Sequence, residues 1–537
     1  MTRGSWLLPP AQAFSQRQLL GRLLGTGWRF LETPLSLRLW YWLAPLLTAV
    51  LGGILRFVRL GDPPSLVFDE TYYVKDAYSY LISGYERAWN RDPNPGFNQG
   101  DYSSLLDAPG FVVHPPVGKW IIAWGMQLFG TSSTFGWRFG TALVGTLAIL
   151  LLALIAQKMF RSTLLGTLAG LLLAVDGHAI VMSRTAILDN FVMFFALLGF
   201  GALLMDRDDG RRRLARRLAQ ALDGERVGSD STRLLYGPWL GIRWWRIAAG
   251  VSLGLCAGSK WTGVFFLAAF AVMSVLWDAS ARRIAGIRYW FMGAVLKDSP
   301  LAFISLVLVS LGTYLASWTG WFLSSNAYDR NWAQSNPSST WDWIPASLRS
   351  LWAYHQSMYS AGLAIESDHP YKANAWSWFV MGRPTSFFAE YPGSGCNGDK
   401  CAQVVNSVGN PLIWWAGAAA LTFLLGYWLL RRDWRAGAIL CGWAAGYLPW
   451  LMYPNRTIFF FYAIAYEPYL ILAVVFCLGL ILGTRDDPPW RRQQGAMVVG
   501  VFVVLVLLIS AFFLPIWTAQ TITYDDWRSH MWMPSWI

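Results

Sequence analysis

Long uncharged stretches alternate along this chain with shorter polar connections, and this alternation is its strongest pattern. Apolar runs of roughly twenty residues recur, and a helix of that length crosses a hydrocarbon core of about 30 Å. The pattern predicts eleven such spans, at 39–60, 137–157, 162–177, 190–205, 244–258, 261–277, 300–321, 409–430, 436–452, 458–482 and 495–514. A stricter reading would merge the short third and fifth spans with their neighbours. We therefore predict an all-α polytopic membrane protein with about eleven transmembrane helices.

Positive charge is divided unevenly between the connections, and this bias predicts the orientation. Short loops that are rich in Lys and Arg stay on the cytoplasmic side of a membrane. The connections with this excess are the N-terminal segment and the loops near 158–161, 207–217, 282–288, 431–435 and 485–492. We therefore predict a multi-pass protein of the plasma membrane with a cytoplasmic N-terminus. An odd number of spans places the C-terminal tail outside.

The spans and their orientation divide the chain into segments. They are a cytoplasmic segment 1–38, seven spans in 39–321, an external loop 322–408, four spans in 409–514 and an external tail 515–537. The first part includes an external loop at 61–136 and a basic cytoplasmic loop at 206–243. Long external loops are more often functional than short ones. In the basic loop, an arginine run around Leu214 and Leu218 predicts an amphipathic helix on anionic lipid.

Composition supports the membrane class and excludes others. Charged residues make up 14% of the chain, against about 25% in soluble domains. The net charge of +12 follows from the arginines of the short connections and needs no nucleic acid. We find no zinc-ligand spacing, no phosphate-binding P-loop and no cleavable signal peptide. Cys396 and Cys401 share the second external loop, where we predict a disulfide, with two reduced thiols as the alternative.

Two adjacent carboxylates, Asp69 and Glu70, follow the first span closely. Near lipid head groups, one of them should have a raised pKa unless cations or a metal ion compensate. Such a carboxylate could accept the proton of a substrate hydroxyl as a general base. The alternative is a helix start, in which Asp69 caps a helix that continues through Val74 to Leu81.

Further candidate residues are a histidine and several cations. His114 precedes two prolines that predict a turn into an interfacial helix, where a lone histidine is more often structural. Four cations lie beside apolar spans on the predicted external side: Arg138, Arg184, Lys260 and Arg456. A single cation at a span end is usually an anchor in the interface. Several on the side that should be poor in positive charge suggest a site for a lipid phosphate.

Four motifs, in this order, resemble those of bacterial protein O-mannosyltransferases of the actinobacterial type, in the C-type glycosyltransferase (GT-C) superfamily. They are Asp69-Glu70, His114-Pro115-Pro116-x-Gly118-Lys119, Ser183-Arg184-x-Ala186-Ile187-Leu188-Asp189-Asn190 and Ser259-Lys260-Trp261-x-Gly263. The resemblance covers nearly the whole chain and implies a GT-C-like fold. Two features depart from it. The loop 322–408 is too short for the bulky domain of the eukaryotic members, and the arginine run is longer than the motifs require.

The resemblance implies an inverting transfer of mannose from polyprenyl-phosphate mannose to Ser or Thr hydroxyls of exported proteins. Asp69 would be the general base, and Glu70 would orient the acceptor or tune Asp69. The donor phosphate would be neutralised by Arg138 and Lys260, with Arg456 as a weaker candidate. The supporting residues would be His114, Tyr80, Arg184 and Asp189.

The expected partners are the lipid-linked donor, exported polypeptides, membrane lipids and the secretion machinery, without nucleic acid. No cofactor is certain, and a divalent metal held by two carboxylates and a phosphate stays open. Other functions also stay open: a related GT-C transferase for cell-wall glycan or lipid, a flippase for lipid-linked sugar, or a structural scaffold. Charges kept at span ends and the lack of an internal repeat favour surface chemistry over transport.

Overall fold

The computed structural model describes residues 15–25, 35–224, 235–338, 340–484 and 486–537. The remaining parts of the predicted N-terminal segment and of the basic loop lie outside the described residues. The longer helices are α1 Gln16–Leu24, α2 Leu35–Phe57, α3 Glu70–Ser83, α4 Val117–Phe129, α5 Thr134–Phe160, α6 Thr163–Val175, α7 Gly177–Arg184, α8 Asp189–Gly224, α9 Trp244–Ser259, α10 Gly263–Ile284, α11 Trp290–Ser317, α12 Ala346–Leu363, α13 Pro411–Arg431, α14 Trp434–Tyr447, α15 Glu467–Leu482 and α16 Pro489–Trp517. The strands are β1 Arg87–Trp89, β2 Leu105–Pro109, β3 Ser386–Glu390, β4 Cys401–Asn406 and β5 Thr521–Thr523.

Helix length and apolarity support the predicted membrane class. Among the described residues, seven helices are long and apolar enough to cross a membrane: α2, α5, α8, α10, α11, α13 and α16. The pair α6 and α7, bent by 61°, would make an eighth span. The multi-span, predominantly helical class is therefore confirmed.

The predicted count of eleven spans is not confirmed. Three of the predicted spans coincide with the shorter helices α9, α14 and α15, of 16, 14 and 16 residues. A helix of 16 residues is about 24 Å long, less than a hydrocarbon core of about 30 Å. Helix α14 continues into a 3-10 turn, Leu448–Met452, and a second turn, Phe460–Ala465, precedes α15. Apolar runs in these regions therefore reflect burial inside the bundle as well as contact with lipid.

Helix α3, the β1–β2 hairpin, helix α4 and the β3–β4–β5 sheet lie at one end of the bundle, which we call the loop face. The opposite end, where α9 begins at Trp244, is the arginine face. Two motif glycines permit close packing between helices near the loop face. A Cβ at Gly118 would lie 2.6 Å from Leu188, and one at Gly263 would lie 2.5 Å from the backbone of Cys256. These glycines let α4 approach the start of α8 and let α10 approach the end of α9.

The second long loop forms a small antiparallel sheet together with the C-terminal tail. Strand β4 is central and pairs with β3 on one side and β5 on the other. A disulfide joins Cys396 to Cys401, the first residue of β4. Trp536 is almost fully buried and donates from Nε1 to the Met381 carbonyl at 2.7 Å. The tail and the second loop therefore form one structural unit.

The arginine run differs from its prediction. It continues α8 as a helix to Gly224, and its apolar side packs on α1 through Leu214, Leu218, Leu19 and Leu23. Arg211 also donates to the Leu23 carbonyl at 2.7 Å. The predicted contact of this apolar side with lipid is therefore wrong, because helix α1 covers it.

Candidate active site

Asp69 lies in the turn that connects α2 to α3. It directly precedes the first residue of α3, but its carboxylate makes no capping hydrogen bond. Among the described residues, no hydrogen bond or ion pair reaches this carboxylate. Burial raises the pKa of Asp69 to about 6, an effect that the positive charge of Lys260 opposes and the negative charge of Asp189 reinforces. A carboxylate without partners and with a raised pKa can accept a proton near neutral pH.

Phe68 holds this turn through a cage of aromatic rings. Its φ of +46° is costly for a bulky residue, about 1–3 kcal/mol, and persists only where the surroundings enforce it. Four rings surround the Phe68 ring at centroid distances of 5.1–5.8 Å: Phe387, Phe459, Phe461 and His369. All four belong to the second half of the chain. The orientation of Asp69, the next residue, therefore depends on packing against the second loop and the segment that precedes α15.

Glu70, the neighbour of Asp69, is a structural residue. It is fully buried, and its carboxylate binds Arg138 Nε at 2.8 Å and Nη2 at 2.9 Å. It also accepts from the backbone N–H groups of Val67 and Ala186, at 3.0 and 2.8 Å. Every lone-pair direction of this carboxylate is therefore used. The prediction that Glu70 orients the acceptor or tunes Asp69 as a catalytic group does not agree with this geometry.

Arg138 is equally enclosed. Its remaining donors bind the carbonyls of Leu60, Pro63 and Ser65 at 2.9–3.3 Å, so that all five N–H groups have acceptors. The side chain is fully buried. Arg138 therefore has no donor left for a phosphate, and the prediction that it binds the donor phosphate is corrected by this geometry. It fixes the backbone of the turn instead.

Arg184 has a related structural role at the end of α2. Its guanidinium donates to the carbonyls of Leu55, Arg56, Val58 and Arg59 at 2.7–3.3 Å. These carbonyls belong to the last turn of α2 and the residues after it, where a helix leaves its acceptors unpaired. Arg184 therefore caps α2 and supports the turn from a second side.

Lys260 and Asp189 form an ion pair close to Asp69. Lys260 follows the end of α9, Asp189 is the first residue of α8, and Lys260 Nζ lies 2.9 and 3.0 Å from the two Asp189 carboxylate oxygens. The same ammonium lies 4.1 Å from the centroid of the Tyr462 ring. An ammonium has three donors, and Asp189 accepts from two of them.

A cavity of about 550 Å³ adjoins this ion pair. Lys260, His114 and Arg456 contribute to its lining. Most of the remaining wall is apolar or aromatic and comes from α10, α11 and α12, including Val264, Phe265, Leu267, Val307, Leu311 and Met358. The cavity therefore combines an apolar wall on membrane helices with cationic groups.

Arg456 differs from the other cations that the sequence singled out. Its Nε donates to the Gly362 carbonyl at 2.8 Å, and its guanidinium lies 5.7 Å from the Trp450 ring centroid. In the part of the chain that the structure describes, no carboxylate pairs with it. Arg456 therefore brings an uncompensated positive charge to the cavity.

His114 lines the same cavity, and its ring lies 5.8 Å from the Tyr73 ring. Burial lowers the pKa of His114 well below its ordinary value, and the charges of Lys260, Lys119 and Arg456 lower it further. The imidazole is therefore neutral near pH 7. It can give or take one hydrogen bond at each nitrogen, but it adds no positive charge.

Tyr80 lies outside the cavity lining, in a buried network behind it. It is hydrogen-bonded to Glu86, and burial raises the pKa of Tyr80 well above its usual value. Lys119 Nζ binds Glu86 at 2.8 Å and Asp76 at 3.2 Å. This network joins α3 to α4, so Tyr80 supports the site indirectly.

Two tyrosines near Asp69 were missed by the sequence analysis. Tyr73 and Tyr462 are each 7% exposed, and Tyr462 lies under the Lys260 ammonium. Burial, followed by the negative charges of Asp69 and Asp189, raises the pKa of Tyr73 well above its usual value. Tyr73 could have been found from its position one helical turn after Asp69. Nothing in the sequence near Tyr462 indicates this neighbourhood.

One group of possible metal ligands occurs among the described residues, and it differs from the predicted carboxylates. Asp176, His178 and Glu467 are fully buried at the bend between α6 and α7. Asp176 already accepts hydrogen bonds from four N–H groups, and His178 Nδ1 lies 2.7 Å from a Glu467 oxygen. None of the three lines the cavity next to Lys260.

Comparison with known proteins connects this geometry to a function. A family model described as dolichyl-phosphate-mannose-protein mannosyltransferase matches residues 46–217, and one for the C-terminal four-span region of protein O-mannosyltransferase matches residues 347–536. A polyprenol-phosphate-mannose–protein mannosyltransferase of Mycolicibacterium smegmatis (strain MKD8) is 37% identical over 506 residues, which cover 92% of this chain and 93% of that protein. The protein of the same name from Mycobacterium tuberculosis (strain H37Rv) is 35% identical over 508 residues, covering 93% and 92%.

A solved structure has the same fold. The Saccharomyces cerevisiae protein O-mannosyltransferase Pmt1–Pmt2 complex, bound to the sugar donor, matches with a TM-score of 0.68 at 14% identity. The match covers 98% of this chain and 95% of the yeast chain.

Proposed function

Because this chain belongs to the dolichyl-phosphate-mannose–protein mannosyltransferase family, we propose that it transfers mannose from a polyprenyl-phosphate donor to Ser or Thr hydroxyls of polypeptides. It is a multi-span membrane glycosyltransferase of the GT-C fold. The observation that carries the proposed mechanism is the Asp69 carboxylate. It has a raised pKa, lies next to the Lys260–Asp189 pair and has no hydrogen-bond or ion-pair partner among the described residues.

The proposed step is a single displacement with inversion at the sugar carbon. The acceptor oxygen forms a bond to C1 of mannose while the bond between C1 and the phosphate oxygen breaks. The hydroxyl proton passes to Asp69, and the electron pair of the broken bond leaves with the polyprenyl phosphate. Asp69 then releases its proton to water. General-base assistance of this kind contributes about 10²- to 10⁴-fold in rate.

The cavity supports binding of such a donor. Its apolar wall on α10 and α11 suits a polyprenyl chain that enters from the membrane, and Lys260 and Arg456 suit the phosphate. Their charges would stabilise the negative charge that develops on the leaving phosphate. His114, neutral and on the same lining, would bind a phosphate or sugar oxygen. These groups could act with or without a divalent ion.

Two tyrosine side chains would help to bind the sugar. The Tyr73 ring lies 5.8 Å from the ring of His114, and Tyr462 lies under the Lys260 ammonium, so each contacts a residue of the cavity lining. Tyrosine combines an apolar face for a sugar ring with a hydroxyl for hydrogen bonds. We include both residues in the proposed donor site.

The proposed location is the plasma membrane, with the loop face outside and the arginine face in the cytoplasm. The distribution of Arg and Lys between the short connections supports this orientation. The donor would then be used on the outer side, where exported polypeptides emerge, and association with the secretion machinery would bring acceptors to the site.

The test uses membranes that contain this protein, radiolabelled polyprenyl-phosphate mannose and a Thr-rich peptide. We expect wild type to label the peptide and Asp69→Asn to lose at least about 10²-fold of this activity. Asp525→Asn, an exposed aspartate in the C-terminal tail, is the matched control and should behave as wild type. Full activity of folded Asp69→Asn would overturn the assignment of the base. Label on a glycan or lipid, with none on peptide, would instead identify a different acceptor class.

A further inference from the structure

Strand β3 presents an edge without a backbone partner. It lies on the outside of the β3–β4–β5 sheet, and only its inner edge pairs with β4. Within the described ranges, no backbone hydrogen bond reaches the outer edge of Ser386–Glu390. A free strand edge is a template on which another extended chain can pair.

The register shows which backbone groups point outward. The Cys401 N–H donates to the Pro392 carbonyl at 3.3 Å, and Glu390 lies opposite Gln403 one step along the ladder. In an antiparallel pair, hydrogen-bonded positions alternate with positions that point away. Pro392, Glu390 and Phe388 therefore face β4, while the N–H and C=O of Ala389 and Tyr391 point to the free edge. Both of these residues are exposed.

One end of this edge lies beside the proposed base. The Phe387 ring is 5.1 Å from the Phe68 ring and 5.6 Å from the Phe461 ring, and Phe68 directly precedes Asp69. Five residues of strand extend over about 17 Å. An extended chain paired with β3 would therefore run from the neighbourhood of Asp69 outward past Ala389 and Tyr391.

We propose that the acceptor polypeptide binds as an added strand on the outer edge of β3, with backbone hydrogen bonds to Ala389 and to Tyr391, the residue that follows β3. This inference rests on the proposed function, because it needs a polypeptide acceptor. Strand addition takes its affinity from main-chain hydrogen bonds and its selectivity from side-chain pockets. Such a surface accepts many sequences, provided that the segment is extended. It also tolerates proline at every second position, where the N–H points away from β3.

The first test is a scan of single N-methyl groups along the acceptor peptide, with the wild-type enzyme. An N-methyl group removes one backbone donor and adds bulk where that donor would meet β3. We expect methylation at alternate positions on one side of the target Thr to raise the acceptor KM about tenfold, while the positions between them change it less than about twofold. A scan without this alternation would overturn the proposal.

The second test removes the outward donor of the enzyme itself. Ala389→Pro deletes an N–H that faces away from β4, so the ladder within the sheet keeps its bonds. We expect the acceptor KM to rise about tenfold while the donor KM stays unchanged, and Asp525→Asn, at the exposed aspartate of the C-terminal tail, should match wild type. An unchanged acceptor KM in folded Ala389→Pro would also overturn the proposal.

The two tests separate this inference from the proposed function. Failure of wild type to label any unmethylated peptide would overturn the function, and the strand model with it. Efficient labelling that is indifferent to backbone methylation would leave the function standing and overturn the strand model alone. The scan uses wild-type enzyme, so it remains decisive even where Ala389→Pro does not fold.

Discussion

Two clusters of buried charge, one at each face of the bundle, differ in how their charges are paired. At the arginine face, Arg243 and Arg246 lie between Asp206 and Asp278, with Arg243 Nε 2.8 Å from Asp206 and Arg246 Nη2 2.5 Å from Asp278. These four residues join the helices α8, α9 and α10. Each guanidinium there contacts two carboxylates, so the cluster has no charge left for a ligand.

At the loop face, paired and unpaired charges lie side by side. Glu70 and Arg138 are satisfied in the same way as the arginine-face cluster, whereas Asp69 and Arg456 have no partner of opposite charge among the described residues. The comparison shows that burial of a charged residue does not identify a functional group in this protein. Charged groups without an opposite charge among the described residues, as at Asp69 and Arg456, are the stronger candidates, because such a group can still take a proton or a phosphate.

The largest effects should come from substituting one unpaired and one paired carboxylate, Asp69 and Asp278, and comparing the two variants. Asp69→Asn should reduce turnover by about 10²- to 10⁴-fold without loss of stability, because no ion pair is broken. Asp278→Asn should reduce the free energy of unfolding by about 3–5 kcal/mol, because two buried arginines lose a shared partner. Thermal unfolding in detergent and peptide labelling measure the two outcomes. Loss of turnover in stably folded Asp278→Asn would contradict the interpretation that the arginine-face cluster is structural and that only the loop face carries the active site.

The pH dependence of turnover should follow Asp69, for which the described residues offer no hydrogen-bond or ion-pair partner. The pKa of Asp69 is raised to about 6, so the base is ionised above that pH and protonated below it. We expect kcat/KM to be nearly constant above about pH 7 and to fall about tenfold per unit well below pH 6. The raised pKa also means that stability contributed by this group decreases as pH rises from about 4 to 6. A rate that stays constant down to pH 4.5, with intact protein, would exclude Asp69 as the base.

A smaller effect is expected at the unpaired cation. Arg456→Gln should raise the KM for the lipid donor about tenfold, which corresponds to about 1.4 kcal/mol, with little change in the acceptor KM. Arg456→Lys should recover part of the loss, because the charge remains but the planar fork does not. Equal donor KM values in wild type and Arg456→Gln would remove this residue from the phosphate site.

The smallest effect should come from a partly exposed pair on the arginine face. Asp209 and Arg213 form an i,i+4 ion pair at 2.8 Å, with side chains that are 30% and 22% exposed. Asp209→Asn should change the free energy of unfolding by no more than about 0.5 kcal/mol and leave turnover unchanged. A loss of unfolding free energy as large as that of Asp278→Asn would show that exposure does not distinguish strong ion pairs from weak ones in this protein.

The class of fold and the main candidate site residues were predictable because both depend on patterns within short stretches of the sequence. Apolar runs predicted the spans, and the ordered motifs pointed to Asp69, His114, Lys260 and Asp189, which the structure brings close together. The sequence did not predict which charged residues of these motifs only support the structure and which remain free to bind a ligand or a proton. Glu70 and Arg138 carry the same charges as functional groups, and only their contacts show that each is fully used.

Other features depend on contacts between distant parts of the chain. The sequence near Phe68 does not indicate that Phe387, Phe459 and Phe461 enclose it, nor that Tyr462 lies under Lys260. Span counting was limited for a related reason. Helices buried by other helices are as apolar as helices that face lipid, so hydropathy alone does not separate short internal helices from full crossings.

The cage around Phe68 has a consequence for the biosynthesis of this protein. Asp69 leaves the ribosome early, whereas the rings that fix its neighbour, and strand β5, are synthesised only after most of the spans have been inserted. A partly made chain therefore carries the proposed base without the surroundings that orient it. We therefore expect mannosyl transfer to start only when these late segments have docked.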